Sequence, residues 1–158
     1  MTRYFFTSVT RIRPLPDLPF TVEPLPRESW AAGDYVVGEV NTRPNPMMRV
    51  EMRSGRTIEV MEGHQVVGAF ARRHATLEAV GDWRDIGDDL QMDNLGGGGV
   101  FGKLTSLSPF LPTLIYMTYR GHVLVHGEKV NMQDYVPNLP LRPYTLPTIM
   151  VIGTSMSA

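Results

Sequence analysis

The chain has 158 residues, 42% of them hydrophobic, with a formal net charge of −1 and no cysteine. That length suits one well-buried domain, and the near-neutral charge argues against nucleic acid or an anionic membrane as a partner. The lack of cysteine excludes disulfides, thiol nucleophiles and Cys-ligated metal centres.

The first thirty residues are rich in proline, with five prolines between Pro14 and Pro26. Each proline ring fixes the backbone φ angle and removes a hydrogen-bond donor, so this segment should be extended and semi-rigid. We predict that residues 1–30 form an arm laid on the domain or a lead-in to it. A β-domain is then expected over residues 31–136.

Within residues 31–136 the hydrophobic pattern has a period of two rather than 3.6, which is typical of β-strands. Eight short strands are predicted, at residues 34–40, 47–52, 57–61, 65–70, 75–80, 100–104, 113–119 and 123–125. The fifteen glycines supply many turns between them. The fold expected is therefore all-β: a small closed or partly open β-barrel with at most one short helix.

One hairpin can be predicted in register. If Arg53, Ser54 and Gly55 form a three-residue loop with Gly55 in the left-handed conformation, Met52 pairs with Arg56. The other pairs follow from that register: Val50 with Ile58, Met48 with Val60, and Arg49 with Glu59 on the outer face.

Two predicted strands share a sequence pattern. Residues 33–40 and 63–70 both read G-x-x-V-V-G-x-apolar, and residues 99–104 form a weaker third copy. The second glycine of each copy predicts a bulge or bend, as small barrels need at their corners. The arrangement resembles pseudo-duplicated small barrels of the cradle-loop and swapped-hairpin types. Chance recurrence in a chain rich in glycine and valine is the alternative.

A single helix is predicted over residues 82–94, where Trp83, Ile86 and Leu90 form an apolar stripe. Its five aspartates lack the alternating spacing of a calcium loop, which favours a solvated acidic turn. The four glycines at 96–99 precede a strand, whereas a phosphate-binding loop precedes a helix. They are therefore predicted to form a hairpin loop or flexible connection.

The candidate ligand-binding residues are basic. Arg72, Arg73 and His74 form a compact cationic cluster directly after a predicted strand, where they could hold a carboxylate or phosphate. Lys103, one of two lysines, lies on the third glycine-strand copy and is added to this site. The alternative is that these are ordinary surface residues at a strand end.

No metal site is predicted. His122 and His126 lie four residues apart on a predicted strand, about 13 Å at roughly 3.3 Å per residue. Ligand nitrogens must approach a metal to roughly 2 Å, so these two side chains do not share one ion unaided. The sequence also does not indicate a Ser-His-Asp triad, because the nucleophile-elbow motif G-x-S-x-G does not occur.

The end of the chain has a different character. A proline-rich segment at 137–147, predicted as a linker, precedes an apolar run at 148–158 that passes through Gly153 into small hydroxyl residues. This run resembles the first strand and front half of the phosphate-binding loop in the dethiobiotin-synthetase-like branch of P-loop NTPases. The resemblance implies that Gly153, Thr154 and Ser155 would contact a nucleotide if Gly-Lys-Ser/Thr followed Ala158. ATP and Mg²⁺ would then be cofactors of the larger protein. A closing strand with a polar tip is the alternative.

Three functional hypotheses follow. The tail favours a non-catalytic N-terminal β-domain of a larger ATP-dependent P-loop protein, serving substrate recognition, regulation or oligomerisation beside its own C-terminal domain. The cationic cluster favours a self-contained β-barrel that binds a small anionic ligand, with no cofactor in this chain. A stand-alone enzyme of unknown class is the third, and would need acid and base residues converging from separate strands.

Composition also bears on partners and location. The ten methionines and the proline-rich segments supply adaptable apolar surface, which favours homo-oligomerisation. The aromatic residues are not interleaved with a basic stripe, so no nucleic-acid role is expected. No secretory leader and no run of about 18 apolar residues is evident, so we expect a cytoplasmic protein that does not insert into membranes.

Overall fold

The computed structural model describes residues 3–12, 15–41, 49–75, 77–140, 145, 147, 149 and 150. Within these residues the chain forms twelve strands and five 3-10 helical turns of three or four residues. The strands are β1 (Tyr4–Phe6), β2 (Thr21–Glu23), β3 (Tyr35–Val40), β4 (Arg49–Glu51), β5 (Thr57–Glu59), β6 (Gln65–Phe70), β7 (Arg72–His74), β8 (Ala79–Asp82), β9 (Gln91–Gly96), β10 (Val100–Leu107), β11 (Tyr116–Val125) and β12 (Glu128–Lys129). The helical turns are Ser8–Arg11, Leu15–Asp17, Arg27–Ser29, Trp83–Asp85 and Met132–Tyr135.

Five strands form a partly closed ring. Antiparallel pairing runs from β6 to β3, β11, β9 and β10 in turn. A short parallel contact, in which Phe101 lies opposite Phe70, joins β10 back to β6. Strands β8 and β7 extend the sheet from β10, while β1 joins β6, and β2 and β12 join β11. The predicted all-β, barrel-like fold is confirmed.

The strands β3 and β6 are buried on both faces. Because side chains alternate along a strand, β3 directs Val36 and Val40 into one hydrophobic cluster and Tyr35 and Val37 into a second. Residues of the N-terminal segment, among them Leu15, cover the second cluster. The first thirty residues thus contribute β1 and β2 to the sheet and cover one face of it.

The hairpin of β4 and β5 has the predicted register. Arg49 lies opposite Glu59 and Val50 opposite Ile58. The Met52 N–H donates to the Arg56 carbonyl at 2.8 Å. The loop is closed by Gly55, whose φ of +81° lies in the left-handed region that glycine adopts readily. The predicted pair of Met48 with Val60 lies outside the described residues.

The two copies of the repeated pattern pair with each other as β3 and β6, and their antiparallel register runs without a shift. A bulge or bend at the second glycine is predicted, and this pair has no bulge there. A Cβ on Gly68 would lie 2.5 Å from the Phe101 ring and 2.4 Å from the Gly99 carbonyl oxygen, so close packing requires glycine there. Register shifts occur instead on β11, between Tyr119 and Gly121, and at two places on β10.

Two strand predictions need correction. The predicted strand at 75–80 spans a turn between β7 and β8, where the Glu78 N–H donates to the Ala75 carbonyl at 2.8 Å. Leu77, which completed the apolar alternation, is 78% exposed. The predicted strands at 113–119 and 123–125 form one strand, β11, because the bulge near Gly121 lets pairing continue through this polar stretch.

The predicted helix at 82–94 is wrong. The chain forms one 3-10 turn, Trp83–Asp85, and then enters β9 at Gln91. Leu90 has a φ of +56°, which is incompatible with a continuous α-helix. The helical spacing of apolar residues arose because both the turn and the strand bury side chains, Ile86 and Met92, in the same cluster.

The glycines at 96–99 lie at the connection between β9 and β10, as the hairpin-loop prediction required. The Gly98 carbonyl accepts a hydrogen bond from the Val9 N–H at 3.1 Å, which attaches this turn to the N-terminal segment. Among the described residues, no helix has the length and apolar character needed to cross a membrane.

Candidate functional site

The predicted cationic cluster is divided between two faces of the sheet. Arg72, Asp82 and Lys103 lie in register across β7, β8 and β10, so their side chains share one face. The exposed His74 lies two residues after Arg72 and shares that face. Arg73 points to the opposite face. The four predicted ligand-binding residues therefore do not form one site.

On the first face the Asp82 carboxylate already forms ion pairs with the arginines beside it. Asp82 Oδ2 lies 2.9 Å from Arg72 Nε and 2.7 Å from a terminal nitrogen of Arg84. Hydrogen bonds from Arg84 lower the pKa of the Asp82 carboxyl, outweighing the opposing effect of burial. Lys103 Nζ donates to the Gln91 carbonyl at 3.5 Å and lies 5.7 Å from the Tyr116 ring centre. This face is an ion-paired surface.

On the second face a cleft of about 290 Å³ opens. It is lined by the end of β9, with Asn94, Leu95 and Gly96, by the segment 111–115, and by Arg49 and Arg73. We name it the Arg49–Arg73 cleft. Three long-range contacts build it, because β4, β7 and the segment before β11 all meet β9 here.

Backbone hydrogen bonds position these elements. The Glu51 N–H donates to the Gly97 carbonyl at 2.7 Å and holds β4 against the turn after β9. The Asn94 N–H donates to the Ile115 carbonyl at 2.9 Å and holds the segment before β11 on the other side. Ile115 also belongs to the first hydrophobic cluster, so the lining of the cleft meets the core at this residue.

Two guanidinium groups and one carboxylate set the charge of the cleft. Arg73 donates to the Leu95 carbonyl and forms an ion pair with Glu78, which also lines the cleft. Arg49 is exposed, and its guanidinium has no hydrogen bond or ion pair with any residue in the described part of the chain. The formal charge of the cleft is therefore positive, and it comes from Arg49.

The end of β9 also holds an unsatisfied polar atom. Asn94 is 4% exposed, and among the described residues no donor reaches its Oδ1 atom. A buried acceptor without a donor costs about 1–3 kcal/mol. Because this atom has almost no accessible surface, it is a cost to the fold and not a contact point for a ligand in the cleft.

Sequence reasoning identified only Arg73 of these three polar residues. Arg49 was predicted as the outer-face partner of Glu59, which its register confirms, but its place beside Arg73 depends on long-range contacts. Asn94 did leave a signal, because it is a polar residue between the buried Met92 and Leu95. The helix prediction over this stretch concealed it.

A second polar site lies inside the fold, and we name it the Asp34 network. Tyr119 Oη lies 2.6 Å from His122 Nδ1, and His122 Nε2 lies 3.2 Å from Asp34 Oδ2. Lys129 Nζ donates to Asp34 Oδ2 at 2.9 Å, and Asn131 Nδ2 donates to Asp34 Oδ1 at 2.7 Å. Together these five residues join the start of β3 to β11 and β12.

The direction of each hydrogen bond in the network follows from the backbone. Tyr119 Oη accepts from the Leu25 N–H at 3.2 Å, so its own hydrogen is available for His122 Nδ1. His122 Nε2 then carries a hydrogen and donates to Asp34, a tautomer assigned from this network. Every hydrogen bond from Leu25 through Tyr119 and His122 to Asp34 thus has a donor and an acceptor.

The network shifts two pKa values. Burial alone would raise the pKa of the Asp34 carboxyl, but hydrogen bonds from His122, Lys129, Asn131 and the Ala31 N–H together lower it. Burial raises the pKa of the Tyr119 hydroxyl, and the nearby negative charge of Asp34 adds to the effect. A carboxylate and a neutral phenol are therefore the favoured forms at neutral pH.

The centre of the Asp34 network is closed to solvent. Asp34 and His122 are both fully buried, and the Trp30 ring centre lies 4.5 Å from that of Tyr119. Lys129 and Asn131, at the edge of the network, are partly exposed. The hydrogen bonds of the network hold the start of β3 against β11 and β12. His126, which the sequence paired with His122, lies in the exposed turn after β11.

The tail prediction concerns other residues. Gly153, Thr154 and Ser155 lie outside the described residues, as does most of the segment 148–158, so the nucleotide-binding hypothesis stays a prediction. Within the described part of the chain, no three His, Asp or Glu side chains are grouped so as to hold a metal ion. Comparison with protein-family models, curated proteins and solved structures finds no match to this chain.

Proposed function

We propose that this chain is a non-catalytic binding module that holds a small anionic ligand in the Arg49–Arg73 cleft. The observation that carries the proposal is the exposed Arg49 guanidinium, which has no ion pair or hydrogen bond among the described residues and lines the same cleft as Arg73. Arginine presents donors in a fixed fork that matches a carboxylate or phosphate.

The other charged sites in the described part of the chain are poorer candidates for binding, because their charges are already paired or buried. The cations beside Asp82 are engaged with its carboxylate, and Glu39 is held by Arg120 at 2.6 Å. The Asp34 network has the acid, base and hydroxyl groups that catalysis uses, but all of its central atoms are buried. Binding in the open cleft is therefore better supported than catalysis.

Isothermal titration calorimetry with small monocarboxylates and inorganic phosphate tests the proposal. We expect at least one of these anions to bind, and Arg49→Gln to weaken that binding about tenfold, because a charge-assisted hydrogen bond is lost. Arg72→Gln is the matched control. It removes the same charge from the opposite face of β7, where Arg72 pairs with Asp82, and should leave affinity unchanged within about twofold.

Two results would contradict the proposal. One is that none of the anions binds to the unmodified protein. The other is that Arg49→Gln and Arg72→Gln weaken binding equally, which would mean that the overall positive charge, and not the cleft, attracts the anion.

We also propose that the binding module serves as the recognition domain of a larger ATP-dependent protein. The support is the strand-to-glycine pattern at 148–158, with Gly153, Thr154 and Ser155 at its end. The test is to read the gene beyond the codon for Ala158. Gly-Lys-Ser/Thr within a few codons would support this proposal, and an immediate stop codon would contradict it while leaving the cleft proposal intact.

A further inference from the structure

We infer that the Arg49–Arg73 cleft and its rim form a docking surface for an extended peptide segment of a partner protein, one that carries an aspartate or glutamate close to a large apolar residue. The inference rests on the proposed anion-binding function and names the molecule that supplies the carboxylate. Two features of this surface lead to it: exposed apolar side chains at the rim of the cleft, and the single unpaired charge that lines it.

Two large apolar side chains are exposed at the rim of the cleft. Phe110 is 94% exposed and Leu77 is 78% exposed. Each is the neighbour in sequence of a residue that lines the cleft, Leu111 in one case and Glu78 in the other. We name Leu77 and Phe110 the apolar rim. Exposed apolar side chains grouped beside a cleft are typical of protein-interaction sites.

The turn that holds Leu77 is joined to the turn that holds Phe110. The Ser108 N–H donates to the Glu78 carbonyl at 2.6 Å, which connects the two turns directly. The second turn is closed by the Leu111 N–H, which donates to the Ser108 carbonyl at 3.1 Å. The apolar rim is therefore one surface on a hydrogen-bonded backbone, beside the cleft, and not two unrelated exposed residues.

The position of the apolar rim favours a peptide over a free small molecule. The cleft has a volume of about 290 Å³, and neither Leu77 nor Phe110 lines that space. A monocarboxylate that fits within the cleft therefore leaves the apolar rim exposed. A space of this volume is about 7 Å across, which about two residues of an extended chain span at roughly 3.3 Å each. A peptide with its carboxylate on Arg49 can thus place an apolar side chain on the rim.

The charge of the cleft determines which polar group the segment carries. The exposed Arg49 guanidinium has no ion pair or hydrogen bond among the described residues, while Arg73 forms an ion pair with Glu78. One guanidinium is complementary to one carboxylate. Nucleic acids and anionic membranes are instead bound by clusters of basic residues. The partner that fits is therefore a protein segment with a single aspartate or glutamate beside its apolar residue.

A library of random heptapeptides displayed on phage tests the inference. The peptides are fused through their C-termini, so aspartate and glutamate side chains supply the only carboxylates. We expect the unmodified protein to enrich sequences with an acidic residue within about three positions of a large apolar one. A synthetic, C-terminally amidated copy of the most enriched sequence is then measured by fluorescence polarisation. Replacing its acidic residue by the corresponding amide, or its apolar residue by serine, should weaken binding about tenfold.

Variants of the protein assign the contacts. Arg49→Gln and Phe110→Ser should each weaken binding of the selected peptide about tenfold, and Leu77→Ser about threefold. Leu139→Ser is the matched control for Leu77→Ser. Leu139 is 75% exposed and does not line the cleft, so the same substitution there should leave the affinity unchanged. Because all of these side chains are exposed, we expect the variants to stay folded, which thermal unfolding checks.

The outcomes separate the inference from the function on which it rests. If monocarboxylates bind but no peptide is enriched, or if the enriched peptides lack an acidic residue, the peptide inference is overturned and the anion-binding function stands. The same holds if Phe110→Ser and Leu77→Ser bind the selected peptide as tightly as the unmodified protein does.

Two further results would also overturn the inference. Dimers in sedimentation equilibrium that Phe110→Ser converts to monomers would assign the apolar rim to a second copy of this chain. No binding of either peptides or monocarboxylates would overturn the anion-binding function together with the inference.

Discussion

The Asp34 network and the Arg49–Arg73 cleft are both built from polar side chains at strand ends. They differ in whether those side chains have hydrogen-bond partners and in whether solvent reaches them. In the network every bond has a donor and an acceptor, and Asp34 and His122 are fully buried. In the cleft Arg49 is exposed, and its guanidinium has no ion pair or hydrogen bond among the described residues. The difference supports a stabilising role for the closed site and agrees with the proposal that Arg49 in the open site meets a ligand.

The largest expected effect comes from removing the centre of the network. Asp34→Ala leaves the His122, Lys129 and Asn131 donors without their shared acceptor, so we expect the free energy of unfolding to fall by about 3–5 kcal/mol. Urea unfolding measures this. Asp88→Ala, which removes a fully exposed carboxylate 3.8 Å from Arg27, should change stability by less than about 0.5 kcal/mol. A loss below about 1 kcal/mol in Asp34→Ala would show that the network does not stabilise the fold.

Acid should weaken the network in a specific range of pH. Because the pKa of Asp34 is lowered on folding, its contribution is complete above its ordinary value of 3.8 and is lost as the pH falls through the lower folded value. Asp34→Asn has no such titration. We therefore expect the difference in unfolding free energy between the unmodified protein and Asp34→Asn to narrow between about pH 5 and pH 2.

The remaining acid sensitivity of Asp34→Asn provides an internal control. Arg120 lowers the pKa of Glu39 and Arg84 lowers that of Asp82, so both carboxylates still lose favourable interactions in acid. Two stability curves that stay parallel from pH 7 to pH 2 would contradict the assignment of a lowered pKa to Asp34.

The smallest effects have opposite signs in the two regions. Asn94→Leu removes an unsatisfied acceptor from the cleft and should raise the free energy of unfolding by about 1 kcal/mol. Asn131→Leu makes the same chemical change in the network, where Asn131 donates to Asp34 and to the Ala32 carbonyl, and should lower it by about 1–3 kcal/mol. Thermal or urea unfolding measures both. A loss of the same size at both positions would remove the distinction between the regions.

The parts of the fold that local rules determine were predictable. The alternation of residues and the loop ending at Gly55 give the register of β4 and β5, and the run from Gln65 to Phe70 coincides with β6. The helix over 82–94 failed because a turn and a strand bury apolar residues at helical spacing. The parallel contact of β6 with β10 has no local signal, since its residues belong to strands far apart in the chain.

The cleft was only partly predictable for the same reason. The basic cluster pointed to Arg73, but Arg72 and Arg73 are neighbours on a strand, so their side chains lie on opposite faces and only one reaches the cleft. Arg49 and Asn94 arrive from β4 and β9, which meet through long-range hydrogen bonds. The sequence argued against a metal-binding role for His122 but indicated no other, because its buried partners Tyr119 and Asp34 depend on how β11 packs beside β3.

The most direct measurement is a two-dimensional ¹H–¹⁵N NMR titration of the unmodified protein with whichever small monocarboxylate binds in calorimetry, which observes both regions at once. We predict that the largest chemical-shift changes fall on the backbone amides of Gly96, Gly97 and Ile115 in the cleft, while those of Asp34, His122 and Lys129 remain unchanged. Shift changes centred on the Asp34 network, or none in the cleft at saturating ligand, would contradict the division of the molecule into a closed stabilising site and an open binding site.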